Sequence, residues 1–223
     1  MKSEIRAIIF DLDGTLVDSV ADLANAMNTV LLRYNLPLHD TETYKYFVGN
    51  GIKKLVERSI PEQQRSADFI QKLHSEMVLE YKHKCVDCTK PYQGIEDLLT
   101  FLNEKEIHIC VLSNKMNELT QHMVKELFGK YCFSVVRGAS PDVPIKPDPK
   151  GALLIAEKID VAPQQILYLG DTNVDMQTAT AAEMIAVGCT WGFRTKEELI
   201  ASGAKYIVNF PTEIKNFFTP FYL

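Results

Sequence analysis

Positive charge is in short supply: 24 Lys and Arg against 29 Asp and Glu leave a formal net charge of −5. No global field therefore draws nucleic acid or an anionic membrane, and neither is expected as a partner. The same field repels phosphorylated molecules at long range, so any phosphate site must be made positive locally. Long apolar runs are also missing, and none reaches the length of a bilayer-spanning helix. Met1-Lys2-Ser3-Glu4 runs into an apolar stretch without the pattern of a signal peptide, and the expected compartment is the cytoplasm. Cysteines number only five, an odd count without framework spacing, so free thiols are expected. Cys85-Val86-Asp87-Cys88 has the spacing of a metal or redox pair, but no second pair or histidine cluster accompanies it, and a plain linker is the reading. The absence of charge blocks, low-complexity tracts and repeats excludes a tail or a solenoid.

What remains is a chain of 223 residues, 46% apolar and 24% charged, enough for one large core or two modest lobes. Ala7-Ile8-Ile9-Phe10 reads as a buried strand that ends at Asp11-Leu12-Asp13-Gly14-Thr15-Leu16. Helical patterns then run for about seventy residues, far beyond an ordinary crossover. Helices are expected from a cap at Asp18 or Ser19 to about residue 35, over 41–47 and 52–60, and over 67–84. From Gly94 helices alternate with strands at 107–112, 133–136, 166–169, 184–187 and 206–208. Helices are expected over 117–128, from Pro149 and over 173–182. The alternation implies an α/β fold: a doubly wound, mostly parallel, Rossmann-like sheet with an inserted all-helical lobe. The core is placed at 1–16 and 87–223 and the helical lobe at 17–86, with hinges near 16–18 and 85–91.

Chemistry gathers where strands end, the edge at which open α/β sheets bind ligands. Asp11 and Asp13 repel each other there and call for a cation or a shared proton. Ser113-Asn114-Lys115 follows an apolar strand and offers a hydroxyl and an amide to phosphate oxygens. Lys146, in Ile145-Lys146-Pro147-Asp148-Pro149, can neutralise both a carboxylate and a phosphoryl oxygen. Gly170-Asp171-Thr172-Asn173-Val174-Asp175 adds two more acids after another strand. Carboxylates in excess beside a lysine suggest an oxygen-liganded magnesium site. Each piece alone has a plainer reading as a loop, a solvated lysine or a helix cap.

Asp-x-Asp-Gly-Thr, Ser-Asn, Lys-Pro-Asp-Pro and Gly-Asp-x-x-x-Asp together resemble the four motifs of the haloacid dehalogenase superfamily, and the helical insertion resembles its small cap domain. The resemblance implies Asp11 as a nucleophile that forms an aspartyl-phosphate, with Asp13 as the acid and then the base. It implies Ser113 and Lys146 as holders of the phosphoryl group, with Thr15 and Asn114 among the substrate contacts. Magnesium would be bound by the Asp11 carboxylate, the Asp13 main-chain carbonyl and Asp171, with Asp175 as a supporting acid. Cap closure would exclude bulk water.

Within the superfamily, Val48-Gly49-Asn50-Gly51 with Leu55 and Glu57-Arg58, and the run Gly188-Cys189-Thr190-Trp191-Gly192-Phe193, resemble phosphoglycolate phosphatases. Gly49, Asn50, Lys53 and Arg58 are the expected cap contacts, and Lys45, Lys53, Lys54 and Arg58 are candidate cations for a second anionic group. The expected partner is a small phosphorylated metabolite, and the expected state a monomer or homodimer. A phosphomutase of the β-phosphoglucomutase type, a pyrophosphatase, a nucleotidase or a non-catalytic phosphate-binding protein would share this core. A dehalogenase would need neither magnesium nor Asp13.

Overall fold

In the computed structural model, which describes residues 4–218, the apolar run at the start forms β1 (Ala7–Phe10), with all four side chains fully buried. Burial on both faces explains why the run is continuously apolar rather than alternating. Five further strands lie parallel to it: β2 (His108–Met116), β3 (Val135–Ala139), β4 (Ile166–Gly170), β5 (Ile185–Cys189) and β6 (Tyr206–Val208). Their order is β3-β2-β1-β4-β5-β6, so the chain winds outward from β1 in both directions. Ile9 is level with Cys110 on one side and Tyr168 on the other. Asp11 therefore emerges at the point where strand order reverses, the crevice at which such sheets bind ligands.

Helices α5 (Ile95–Glu104), α6 (Asn117–Phe128), α7 (Lys150–Lys158), α8 (Asn173–Ala181) and α9 (Lys196–Ala201) cover this sheet. One buried cluster joins Ile9, Cys110, Leu112 and Tyr168 to Ile155 of α7 and Met176 of α8. The sheet and its helices make up one compact unit, 4–17 with 91–218 among the described residues.

The strand expected to stop at residue 112 continues as β2 through Ser113, Asn114 and Lys115 to Met116, with a register shift against β3 between Leu112 and Met116. All three polar residues are buried. The change from apolar to polar sequence resembles a strand end, but Asn114 is bonded to Lys146 and Lys115 to Asp13, while Ser113 accepts from Lys115 N, so the strand can carry them inside.

The second unit, Asp18–Lys90, is built on four helices: α1 (Val20–Arg33), α2 (Thr41–Phe47), α3 (Ile52–Ser59) and α4 (Ala67–Lys82). Leu23, Met27, Val30 and Leu31 of α1 and Leu73, Met77 and Tyr81 of α4 are buried, and the two helices pack together. Ser19 takes the N-cap position of α1 without bonding it through its side chain. The first-turn acid Asp22 is 2% exposed and accepts from Cys88 N (2.9 Å), Thr89 N (2.8 Å) and Thr89 Oγ1 (2.7 Å). Cys85 and Cys88 are free thiols, and the backbone of this stretch is what Asp22 holds. Asp22→Ala strands these donors, each worth about 1–3 kcal/mol when buried and unsatisfied, so a loss of about 3 kcal/mol is expected. Urea denaturation followed by helical circular dichroism checks this; an unchanged midpoint contradicts it.

Candidate active site

The loop after β1 is wound tightly about one carbonyl. Leu12 O accepts from Leu16 N (3.0 Å) and Val17 N (3.1 Å), which turns the chain back beneath Asp11 and Asp13. Gly14 sits at φ +88°, and a Cβ there would lie 2.2 Å from Asp171 Oδ2. Gly192 presses from the other side, where a Cβ would lie 2.3 Å from the Asp171 Cβ. Both glycines are required because Asp171 fills the space that a side chain would take.

Asp11 is 5% exposed. Its Oδ1 accepts from Leu12 N (2.7 Å) and meets Lys146 Nζ at 2.8 Å. Burial pushes its carboxyl up to about 7, Asp175 adds to the rise, and Lys146 pulls against both. Burial would by itself discharge the Lys146 ammonium, but Asp11 and Asp175 outweigh it and hold the lysine firmly protonated. Lys146 is positioned by Asn114, whose amide accepts from Lys146 N (2.8 Å) and donates to Lys146 O (3.0 Å). Asn114, expected among the substrate contacts, thus clips the lysine loop onto β2.

Asp171 follows β4 and is fully buried. Thr15 Oγ1 donates to its Oδ1 (2.8 Å) and Phe193 N to its Oδ2 (2.9 Å). Burial first, then Asp175 and Asp11, raise its carboxyl well above the ordinary range. Thr15 was expected to meet the substrate, but its hydroxyl proton is committed to Asp171. Its carbonyl is held in turn by Trp191 Nε1 (3.0 Å). Asp175 uses both oxygens: Oδ1 accepts from Lys146 Nζ (2.7 Å), and Oδ2 from Thr172 N (3.0 Å) and Thr172 Oγ1 (2.6 Å). It is a positioning group for Lys146 and for the start of α8.

Ser113 is buried on β2, its Oγ accepting from Lys115 N (3.2 Å). Two residues along the same strand, Lys115 reaches Asp13, with Nζ 2.7 Å from Oδ1. Sequence reasoning quoted this lysine but gave it no role. A usable signal existed, because Ser113 and Lys115 lie on one face of a strand by the period of two.

Ligand atoms of Asp11, Asp171 and Asp175 lie within 4.8 Å of one another. With Asp13, four carboxylates face two ammoniums, and the raised carboxyls of Asp11 and Asp171 show that protons meet this excess of acid when no cation does. A hard divalent cation with oxygen ligands fits both the charge and the donor set. Asp175 is the weaker candidate as a direct ligand, since its Oδ1 meets the Lys146 ammonium and its Oδ2 already accepts two hydrogen bonds, whereas each Asp171 oxygen accepts from a neutral donor.

Gly49, Asn50, Lys53 and Arg58 belong to the helical unit. Gly49 sits at φ +116°. Arg58 of α3 donates to Phe47 O (2.9 Å) and to Asn50 Oδ1 (2.8 Å), so these two residues hold the turn between α2 and α3. Lys53 is exposed. Lys45 is paired with Glu42 (2.8 Å) and Lys54 with Glu57 (2.7 Å).

The sequence model of the haloacid dehalogenase-like hydrolases matches residues 8–189. A phosphoglycolate phosphatase of Chromobacterium violaceum is 32% identical over 213 residues, covering 94% of this chain and 95% of that one. Another, of Pseudomonas putida KT2440, is 30% identical over 92% of this chain and 76% of its own length. Among solved structures, one from Lactobacillus delbrueckii subsp. bulgaricus, provisionally called a phosphoglycolate phosphatase, superposes with a TM-score of 0.91 at 29% identity, covering 98% of this chain and all of its own. A haloacid dehalogenase-like hydrolase of Streptococcus pneumoniae gives a TM-score of 0.86 at 28% identity, over 96% of this chain and 99% of that one.

Proposed function

The chain belongs to the haloacid dehalogenase-like hydrolases, and from that premise we propose that it is a magnesium-dependent phosphomonoester hydrolase working through an aspartyl-phosphate on a small phosphorylated metabolite. Phosphoglycolate is the candidate substrate, supported by the names of its relatives at about 30% identity. The observation that carries the reading is Asp11 itself: a buried carboxylate at the central strand end, with a charged lysine 2.8 Å away and a second acid two residues on.

Asp11 Oδ1 is held by Leu12 N and Lys146, so Oδ2 is the oxygen turned to attack. It forms a bond to phosphorus as the bond to the leaving oxygen breaks, and Asp13 supplies the proton that oxygen needs. Asp13 then takes a proton from water, whose oxygen displaces Asp11 and releases inorganic phosphate. Lys146 and Ser113 steady the phosphoryl oxygens, because phosphoryl transfer asks chiefly for alignment and charge compensation. Asp11, the Asp13 carbonyl and Asp171 would hold magnesium, which would supply further compensation for negative charge. The helical unit would serve as the cap.

Phosphate release across a panel of phosphoesters, with magnesium or a chelator, tests the reading. Magnesium-dependent release led by phosphoglycolate supports it. Isomerisation of a sugar phosphate without net release points instead to a mutase.

A pH-dependent metal effect is also expected. The Asp11 carboxyl titrates near 7 in the fold against 3.8 unfolded, and that of Asp171 is raised as well. Between these limits the folded chain binds more protons than the unfolded one, so metal-free stability falls as pH rises towards 7. A cation must displace the Asp11 proton below about 7 and need not above it. Magnesium should therefore raise the melting temperature more at pH 8 than at pH 5.5; equal increments at the two values sink the argument.

A further inference from the structure

The site contains two buried ammoniums, and the chemistry above employs one. Lys146 is bound to Asp11 and Asp175, on the side where phosphorus is attacked. Lys115 sits elsewhere: its ammonium lies 2.7 Å from Asp13, the acid assigned to the leaving oxygen, with side-chain exposures of 3% and 12%. The backbone around it is built to hold it there. Its N–H donates to Ser113 Oγ (3.2 Å), and its carbonyl accepts from Thr120 Oγ1 (3.2 Å). Gly138 packs so closely that a Cβ would lie 2.6 Å from the Lys115 carbonyl oxygen.

A group beside the acid that serves the leaving oxygen is also beside whatever that oxygen carries. A leaving group with its own carboxylate one carbon away brings a second anion to this spot. The basic residues of the helical unit are engaged within that unit: Lys45 and Lys54 pair with their own helix acids, and Arg58 holds the turn at residues 47–50. Lys53 stands exposed, where solvent weakens its pull.

We propose that Lys115 is a specificity-determining residue that exchanges its ion pair with Asp13 for one with a carboxylate on the substrate's leaving group. The inference rests on the hydrolase reading and narrows it to phosphoesters of small hydroxy acids. Exchange rather than addition keeps the ammonium partnered in both states, as a buried charge demands.

The test is calorimetric and needs no turnover. Phosphonopropionate and propylphosphonate, which differ by a carboxylate, are titrated with magnesium present into wild type, Lys115→Met, Lys115→Arg and Asp13→Asn. Wild type should prefer the carboxylated phosphonate by about tenfold or more, the worth of a charge-assisted hydrogen bond. Lys115→Met should erase that preference and Lys115→Arg should keep part of it. Asp13→Asn relieves Lys115 of its resting partner and should widen the preference, a gain that misfolding cannot imitate. Should Lys115→Met fail to fold by circular dichroism, the Arg and Asp13→Asn arms decide alone. An undiminished preference in a folded Lys115→Met, no preference in wild type, or a narrowed one in Asp13→Asn overturns the assignment. Phosphate release from phosphoglycolate by wild type is measured in parallel. Its absence overturns the hydrolase reading, while the binding ratios still judge Lys115.

Discussion

Asp11→Asn should lower phosphate release by about 10⁴-fold or more while leaving the protein at least as stable as wild type at pH 8 without metal. The first half follows from chemistry, because a neutral amide cannot form the acyl-phosphate bond. The second follows from the carboxyl's displacement to about 7, caused first by burial and then by Asp175. At pH 8 the folded chain must hold that group ionised at a cost, whereas the unfolded chain does so freely. Asparagine keeps an oxygen for Leu12 N and Lys146 and removes the charge. Activity near wild type contradicts the nucleophile assignment. A fall in melting temperature contradicts the electrostatic account.

Lys146→Met should damage both activity and stability, and the contrast with Asp11→Asn separates the two roles. Methionine fills a similar volume but leaves Asp11 and Asp175 facing each other without the ammonium that lies 2.8 and 2.7 Å from them. Removing one partner of a buried ionic cluster costs about 3–5 kcal/mol. Losing a positioned charge from the phosphoryl group should reduce kcat by about 10²–10³-fold. Chemical denaturation and steady-state kinetics read the two effects. Adding Asp175→Asn should recover part of the stability and none of the rate, since it relieves the repulsion without restoring the charge. Stability within about 0.5 kcal/mol of wild type would show that the cluster is not what holds this edge of the sheet.

Much of the fold was legible because its signals are local. β1 is a short apolar run ending at an acid, α6 occupies the residues that its periodicity marks, and β6 likewise. The alternation of strands and helices fixed the class of sheet. β2 was misjudged in length because its polar half is satisfied by partners far along the chain, such as the Lys146 loop that Asn114 clips. The candidate site divides in the same way. The acids and Lys146 stand at strand ends, where charge after an apolar run is conspicuous. The pairing of Lys115 with Asp13 spans 102 positions, and the bond from Phe193 to Asp171 is made by a backbone N–H, which no side-chain signal marks. Asp22 escaped notice because an acid in a first helical turn has an ordinary explanation, and only the folded chain reveals Cys88 and Thr89 above it.

The place of β1 between β2 and β4 has a consequence for how the protein is made. Its backbone bonds run to β2 on one side and to β4, beginning at Ile166, on the other. A ribosome adds about 5–20 residues per second, so the first strand waits on the order of ten seconds for its second neighbour to be synthesised. The stretch Asp18–Lys90 is continuous in sequence and can close its own core during that interval. β1 is thus made well before the second of its neighbours is there to fix it. Ala7-Ile8-Ile9-Phe10 is an apolar segment that nascent-chain chaperones have time to meet, and the acids that would hold the metal come together only after Asp171 has been made.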